Sequence, residues 1–389
     1  MKVVTVASAL LLCALGFGCG GGSSLEYRRG LAGGDRAHAA GRHAEAAAEY
    51  ERTAALSKKP RDRGRAESLA AAAYLKAGQV DRARAIFEKL AKANPENQYS
   101  AGAAFKLAEL QAAEDPALGQ RAFEQMFAAF PSNGLARRAL TLALATREEK
   151  DGVAAVIQYL DELSRGPLRK SELGQNIAYS LAEASFRAGR TEGAYAQYVA
   201  VANEWPYPFG AFFDDALYKA AQIDVGRNEF ARAIVLLERL LAEHETSSLM
   251  GSYHRPRMNA AALQVARIYE EKLRNRDKAR EAYGRIYSLF TTGALRDDAL
   301  WQQARLYRED GDPSSACGRL SKLVNEFPDS RYVPCAESTC NVTRSKKSHA
   351  PKECRDYLKR GYLPDLARPP FGDDGAVVPP GGAPAAAID

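Results

Sequence analysis

The chain has 389 residues, and its 54 basic and 48 acidic side chains leave a net charge of +6, too weak over this length to mark a nucleic-acid-binding surface. It is 46% hydrophobic and 26% charged, which excludes a disordered polymer. Alanine is abundant, Leu, Glu, Arg and Lys fill most of the rest, and β-branched residues are sparse through the middle, so the composition favours helix over extended sheet.

The chain opens with Lys2 and an apolar run from Val3 to Phe17. That is shorter than the about 20 residues of a membrane-spanning helix but has the form of an export signal. It ends in Leu15-Gly16-Phe17-Gly18-Cys19, followed by Gly20, Gly21, Gly22, Ser23 and Ser24. The ending resembles a bacterial lipobox, in which a small residue precedes a cysteine that is lipidated and becomes the new N-terminus. Gly18 and Cys19 match, whereas Gly16 stands where leucine is usual and Leu15 lies one place early. The resemblance implies a signal peptide over residues 1–18, lipidation of Cys19, and a flexible Gly/Ser tether over 19–24. Lipoproteins of bacteria with two membranes are sorted by the residues after the cysteine. No aspartate follows Cys19, which implies lipid anchoring at the outer membrane, facing the periplasm.

From residue 25 to 330 the dominant signal is internal periodicity. Gly78, Ala83, Phe87 and Pro95 stand at offsets of five, nine and seventeen from the glycine. The frame recurs as Gly189, Ala194, Tyr198 and Pro206, and as Gly311, Ala316, Leu320 and Pro328. Partial copies are Gly41, Ala46, Tyr50 with Pro60, and Gly226, Ala231, Val235. Each residue type has a physical role. Glycine takes the left-handed backbone that closes a first helix. A small alanine admits a close neighbour, the large residue fills the gap between pairs, and proline stops the second helix. Taking the large residue as a ruler, Tyr50, Phe87, Phe123, Leu160, Tyr198, Val235, Tyr283 and Leu320 are separated by 37, 36, 37, 38, 37, 48 and 37 residues. The units at Phe123, Leu160 and Tyr283 lack the frame's glycine.

This pattern resembles the tetratricopeptide repeat. The resemblance implies an all-α, right-handed α-solenoid of about eight helix pairs, whose groove is lined from the first helices. In that family, groove positions lie about thirteen, ten, six and three residues before the closing glycine. They fall on Asn176, Tyr179, Glu183 and Phe186 in the fifth pair, and on Asp298, Trp301, Arg305 and Arg308 in the eighth. The sixth pair, whose turn to Gly226 is shorter and which is aligned by its helix start, offers Asp215, Tyr218 and Gln222, and the seventh Arg267 and Glu270. Aromatic and arginine anchors among polar groups suit capture of a peptide or partner helix. The 48-residue gap holds an insertion, Glu243 to Met258, expected as a surface loop.

Residues 331–367 form a distinct segment with Cys335, Cys340 and Cys354 and a basic cluster of Arg344, Lys346, Lys347, Lys352, Arg355, Lys359 and Arg360. A solenoid needs a terminal cap, and this segment is expected to supply it. With Cys317 the cysteines make an even set expected to form two disulfides in an oxidising compartment, with three pairings open. A metal site lacks C-x-x-C spacing here. Residues 368–389 read as a disordered Pro/Gly/Ala tail.

No H-E-x-x-H, phosphate-binding G-x-x-x-x-G-K-[ST] or G-x-S-x-G pattern occurs. The reading is therefore a non-catalytic scaffold without a cofactor. The repeat variant resembles envelope lipoproteins that serve outer-membrane β-barrel assembly and periplasmic repeat proteins linked to the Tol–Pal division machinery. Their likeness implies envelope proteins or peptides as partners in assembly, division or motility complexes. The alternative is an adaptor to cell wall or an anionic surface through the basic cap.

Overall fold

The computed structural model describes residues 23–92, 98–242, 255, 257–290, 293–343 and 349–359. The export signal with Cys19, most of the 243–258 insertion, Arg344, Lys346, Lys347, Arg360 and the tail lie outside the described residues. All regular structure among the described residues is helical. No described helix is long and apolar enough to cross a membrane.

The chain divides into two compact units. One holds the residues up to Ala155 with 170–173, and the other holds Val156–Arg169 and everything from Gly174 on. In the first unit, α1 (Leu25–Ala39) pairs with α2 (His43–Leu56), α3 (Pro60–Lys76) with α4 (Val80–Ala91), and α5 (Ser100–Glu114) with α6 (Pro116–Ala129). The fourth pair runs as α7 (Gly134–Arg165), two helices joined at Gly152, and the division between units falls in its second half. In the second unit the pairs are α8 (Gly174–Arg187) with α9 (Thr191–Glu204), α10 (Phe213–Gly226) with α11 (Phe230–Ala242), α12 (Met258–Arg267) with α13 (Arg276–Leu289), and α14 (Arg296–Glu309) with α15 (Pro313–Glu326). The helix α16 (Val333–Cys340) and the single turn α17 (Asp356–Lys359) follow. Ser23 and Ser24 were expected in the tether, but Ser24 caps α1, its hydroxyl accepting from the Tyr27 N–H at 3.1 Å.

The eight expected pairs are present, and one rule joins all but the fourth: a small residue and a large one, four apart, on the second helix. Ala46, Ala83, Ala194, Ala279 and Ala316 are fully buried, as are the large residues Tyr50, Phe87, Tyr198, Tyr283 and Leu320 that follow them. In the third pair Gly119 takes the small position before Phe123, and a Cβ there would stand 2.3 Å from that of Ala112. In the fourth, Val156 precedes Leu160.

The sixth pair corrects the sequence reading. Val235, expected between pairs, is 67% exposed, and Ala231 is exposed too. Gly226 is the last residue of α10, and the left-handed residue is Asn228, at φ 63°. Asparagine tolerates that backbone better than most residues because its side chain bonds locally. From Asn228 the frame falls on Ala233 and Leu237, both fully buried. The Glu229 N–H closes the turn on the Asp224 carbonyl at 2.8 Å, as Gln79, Arg190 and Asp312 do after Gly78, Gly189 and Gly311. In the seventh pair the left-handed residue is Arg274, preceded by one wide turn over Ile268–Lys272 that adds a residue to the first helix.

The C-terminal segment caps the eighth pair. Cys317 of α15 is bonded to Cys340 at the end of α16, and Cys335 to Cys354. Of the three pairings that the spacing leaves open, this is the one the structure brings to bonding distance. Lys352 and Arg355 of the basic cluster are exposed on this cap.

Candidate functional site

The groove positions of pairs five to eight form four rows along the first helices of the second unit, and each row behaves differently. The structure turns the row at the helix starts into a latch. Asp215 accepts from the Arg257 Nε at 2.5 Å, just before the next first helix. Asp298 accepts from the Tyr332 hydroxyl and from Arg331, both at 2.5 Å, just before α16. The preceding carboxylates repeat the device. Asp214 pairs with the buried Arg255 at 3.3 Å, and Asp297 accepts from the Ser330 hydroxyl at 2.6 Å. Burial raises the carboxyl of Asp214 to about 6 against the pull of Arg255, and raises that of Asp297 as well. Asn176, first in this row, is half-buried.

The aromatic row is packed rather than open. Trp301, expected as a partner anchor, is 7% exposed and stacks on Tyr332 of the cap at 5.0 Å and 15°. Tyr218 is buried, with the Arg257 guanidinium 5.4 Å from its ring centre. Tyr179 is half-buried, stacked on Phe212 at 4.4 Å and near Tyr198 at 5.8 Å. The correction has one physical reason: on a stacked hairpin this row faces the next pair, which fills it with its own rings and guanidiniums. Trp301, Tyr218 and Asp298 are therefore occupied by the chain itself.

The third row holds Glu183, Gln222, Arg267 and Arg305. Its carboxylate serves the second helix of its own pair. Glu183 accepts from the Tyr198 hydroxyl, in the same register as Asp35 and Tyr50, which bond at 2.7 Å in the first unit. Glu270 does the same for Tyr283 at 3.0 Å and also takes the Arg305 guanidinium. Burial first, then the adjacent carboxylate, raises the Tyr198 and Tyr283 hydroxyls well above the ordinary tyrosine range, so both remain donors. Glu183 lies 3.5 Å from the Lys219 ammonium. Gln222 differs, because its buried Nε2 has no hydrogen-bond partner among the described residues. An unsatisfied buried amide costs free energy, which an acceptor met after a side-chain rotation would recover.

The fourth row holds Phe186, Glu270 and Arg308 and is open at all but Glu270, which is bonded as above. Phe186 is 41% exposed, with the Lys219 ammonium 5.9 Å from its ring centre, and Arg308 is exposed. Of the thirteen expected groove residues, Phe186, Gln222 and Arg308 thus retain the clearest capacity to meet a partner. No group of three or more potential metal ligands occurs among the described residues. Cavities beside Phe290 and beside Tyr283 measure about 10 Å³ each, room for about one water and not for a small-molecule substrate.

Sequence reasoning missed two features. The latch carboxylates were visible as the repeated pairs Asp214-Asp215 and Asp297-Asp298. The loop between α9 and α10, Trp205-Pro-Tyr-Pro-Phe-Gly-Ala-Phe-Phe213, was visible as nine residues without a charge. Its Phe209 is 87% exposed.

Residues 67–97, 215–247 and 298–330 match the profile of the tetratricopeptide repeat. The chain carries tetratricopeptide repeats, and that fold is typically a non-catalytic scaffold. No curated protein matches the chain. Among solved structures, the C-terminal part of a TPR repeat-containing protein from Cytophaga hutchinsonii is 15% identical, with a TM-score of 0.41 over 71% of this chain and 99% of that one. PilF of Pseudomonas aeruginosa is 16% identical, with a TM-score of 0.35 over 59% and 93%. The apo form of the quorum sensor NprR from B. thuringiensis is 10% identical, with a TM-score of 0.35 over 77% and 86%.

Proposed function

We propose that this protein is a non-catalytic scaffold of the bacterial cell envelope, held at the outer membrane by lipid on Cys19 and facing the periplasm. It captures peptide or helical segments of envelope proteins on the first-helix face of pairs five to eight, in an assembly, division or motility complex. The observation that carries the reading is the contrast within that face. Asp215, Asp298, Tyr218 and Trp301 are engaged within the chain, while Phe186 and Arg308 stand exposed and the Gln222 amide is unpartnered among the described residues. A surface that is rigid before binding loses little entropy on capture.

Co-purification after crosslinking in native membranes tests this reading. Cys19→Ala is expected to move the protein out of the membrane fraction. Replacing Phe186, Gln222 and Arg308 together by alanine is expected to leave location and folding unchanged but to deplete the captured partners. Retention of all partners by the triple variant would refute the surface assignment.

The second reading is an adaptor to cell wall or an anionic surface, supported by Lys352 and Arg355 standing exposed on the disulfide-held cap. Charge reversal of these two would weaken glycan or lipid pull-down on that reading, and would leave protein capture intact.

A further inference from the structure

The loop between α9 and α10 packs Trp205, Tyr207 and Phe212 against the core of the second unit, but its tip serves neither the repeat packing nor the proposed capture face. The Phe209 and Gly210 N–H groups both donate to the Pro206 carbonyl, at 3.2 and 3.0 Å. The Ala211 N–H donates to the Gln175 Oε1 at 2.9 Å. Gly210 is required, since a Cβ there would stand 1.8 Å from the Trp205 carbonyl oxygen. At the stem, the Arg169 guanidinium lies 4.3 Å from the Trp205 ring centre, and Arg255 lies 4.2 Å from that of Tyr207. The tip carries Pro206, Pro208 and Phe209, all exposed.

From this geometry we infer that Phe209 is an interfacial anchor that enters the headgroup–acyl boundary of a lipid bilayer. Two observations choose lipid over a protein pocket. From Pro208 to Ala211 every backbone N–H is either missing, as at proline, or already bonded within the chain. Such a tip offers no free backbone donor, which lowers the cost of entering lipid, whereas a protein interface expects about one hydrogen bond per 100–200 Å². The second is size. Two free proteins hold together by burying about 1,200–2,000 Å², far more than one phenylalanine and two prolines can offer. So small a tip acts only on a surface that is already close. Tryptophan and tyrosine at its base suit the headgroup level. The inference rests on the lipid anchor at Cys19, which delivers that surface, and it makes the second unit lie against the membrane in one orientation.

The test uses the full lipidated chain in phosphatidylcholine vesicles whose acyl chains are brominated, with flotation and tryptophan emission as readouts. The chain has two tryptophans, Trp205 at the base of this loop, hereafter the knuckle, and Trp301 buried against Tyr332. Wild type is expected to float and to lose up to about half its emission, because only Trp205 lies near lipid. Phe209→Asp should float equally and keep its emission, and Phe209→Trp should float with a larger quenched fraction. Cys19→Ala should not float. If wild type floats but Phe209→Asp is quenched to the same extent, the anchor stands and the knuckle inference falls. If wild type does not float, both fall. A photo-crosslinking residue at position 209 that joins a protein rather than lipid in native membranes would also overturn the inference.

Discussion

The first two helix pairs and the last four use the same packing frame but put different residues on their first helices. In α3 the wall is Ala70, Ala71, Ala72 and Ala73, and α1 brings Gly34 so close to Tyr50 that a Cβ would stand 2.4 Å from the ring. In α8, α10, α12 and α14 the groove rows carry tyrosine, tryptophan, arginine and carboxylates joined in hydrogen bonds, where α3 has Ala72 at the position of Glu183, Gln222 and Arg305. Small residues hold neighbouring helices by close approach and leave little chemistry on the surface. Large polar residues hold them by networks, and such networks leave a few groups over. The difference shows that stacking fixes one side of each hairpin and frees the other, so recognition can be placed on some pairs without disturbing the frame.

The sharpest way to break this comparison is Trp301→Ala. If the indole is core, the variant loses about 3–5 kcal/mol in urea unfolding of the second unit. An indole free to bind a partner would cost little when removed. The next effect separates two registers of the sixth pair: Leu237→Ala should cost about 2–5 kcal/mol, while Val235→Ala should stay within about 0.5 kcal/mol. The reverse order would restore Gly226 as the closing residue. Removing the Cys335–Cys354 bond by double serine substitution should cost the cap about 2–4 kcal/mol. Reductant should have no further effect at that bond and should leave the first unit unchanged.

Smaller effects compare the units directly. Tyr50→Phe and Tyr198→Phe remove the same hydroxyl–carboxylate bond from each, and both should cost about 1.5–3 kcal/mol in thermal unfolding. A cost confined to one unit would show that the device is not shared. The smallest effect concerns the latch carboxylate Asp214, which burial raises from 3.8 to about 6. Between those values the folded chain holds a proton that the unfolded chain has lost, so its contribution to stability falls as pH rises across that window. Asp214→Asn should flatten that part of the urea midpoint profile, and an unchanged slope would remove Asp214 from the account.

Much of this was legible because repeats print their packing rows in the sequence. Ala83 with Phe87 and Ala194 with Tyr198 announced their roles by spacing alone. The frame slipped at Gly226 because glycine was the expected closing residue and Asn228 did its work. Asn228 could have been found by counting thirteen residues on from Asp215, as Gly189 lies from Asn176 and Gly311 from Asp298. Gly152 went unread because it lies eight residues before Leu160 where the frame has nine. The fate of the groove aromatics was hidden for another reason. Burial of Trp301 and Tyr218 depends on Tyr332 and Arg257, which lie 31 and 39 residues further along. The disulfide pairing likewise depends on how α16 folds back, which no spacing states.

The central claim is that capture belongs to the polar first-helix face of the second unit and not to the alanine wall of the first. A photo-crosslinking residue placed at the same frame position in each, Ala72 and Gln222, tests it most directly in native membranes, with Val235 as a third site away from both. The account predicts a specific protein adduct from position 222 and none from 72 or 235. Adducts of equal yield from all three, or from 72 alone, would contradict it.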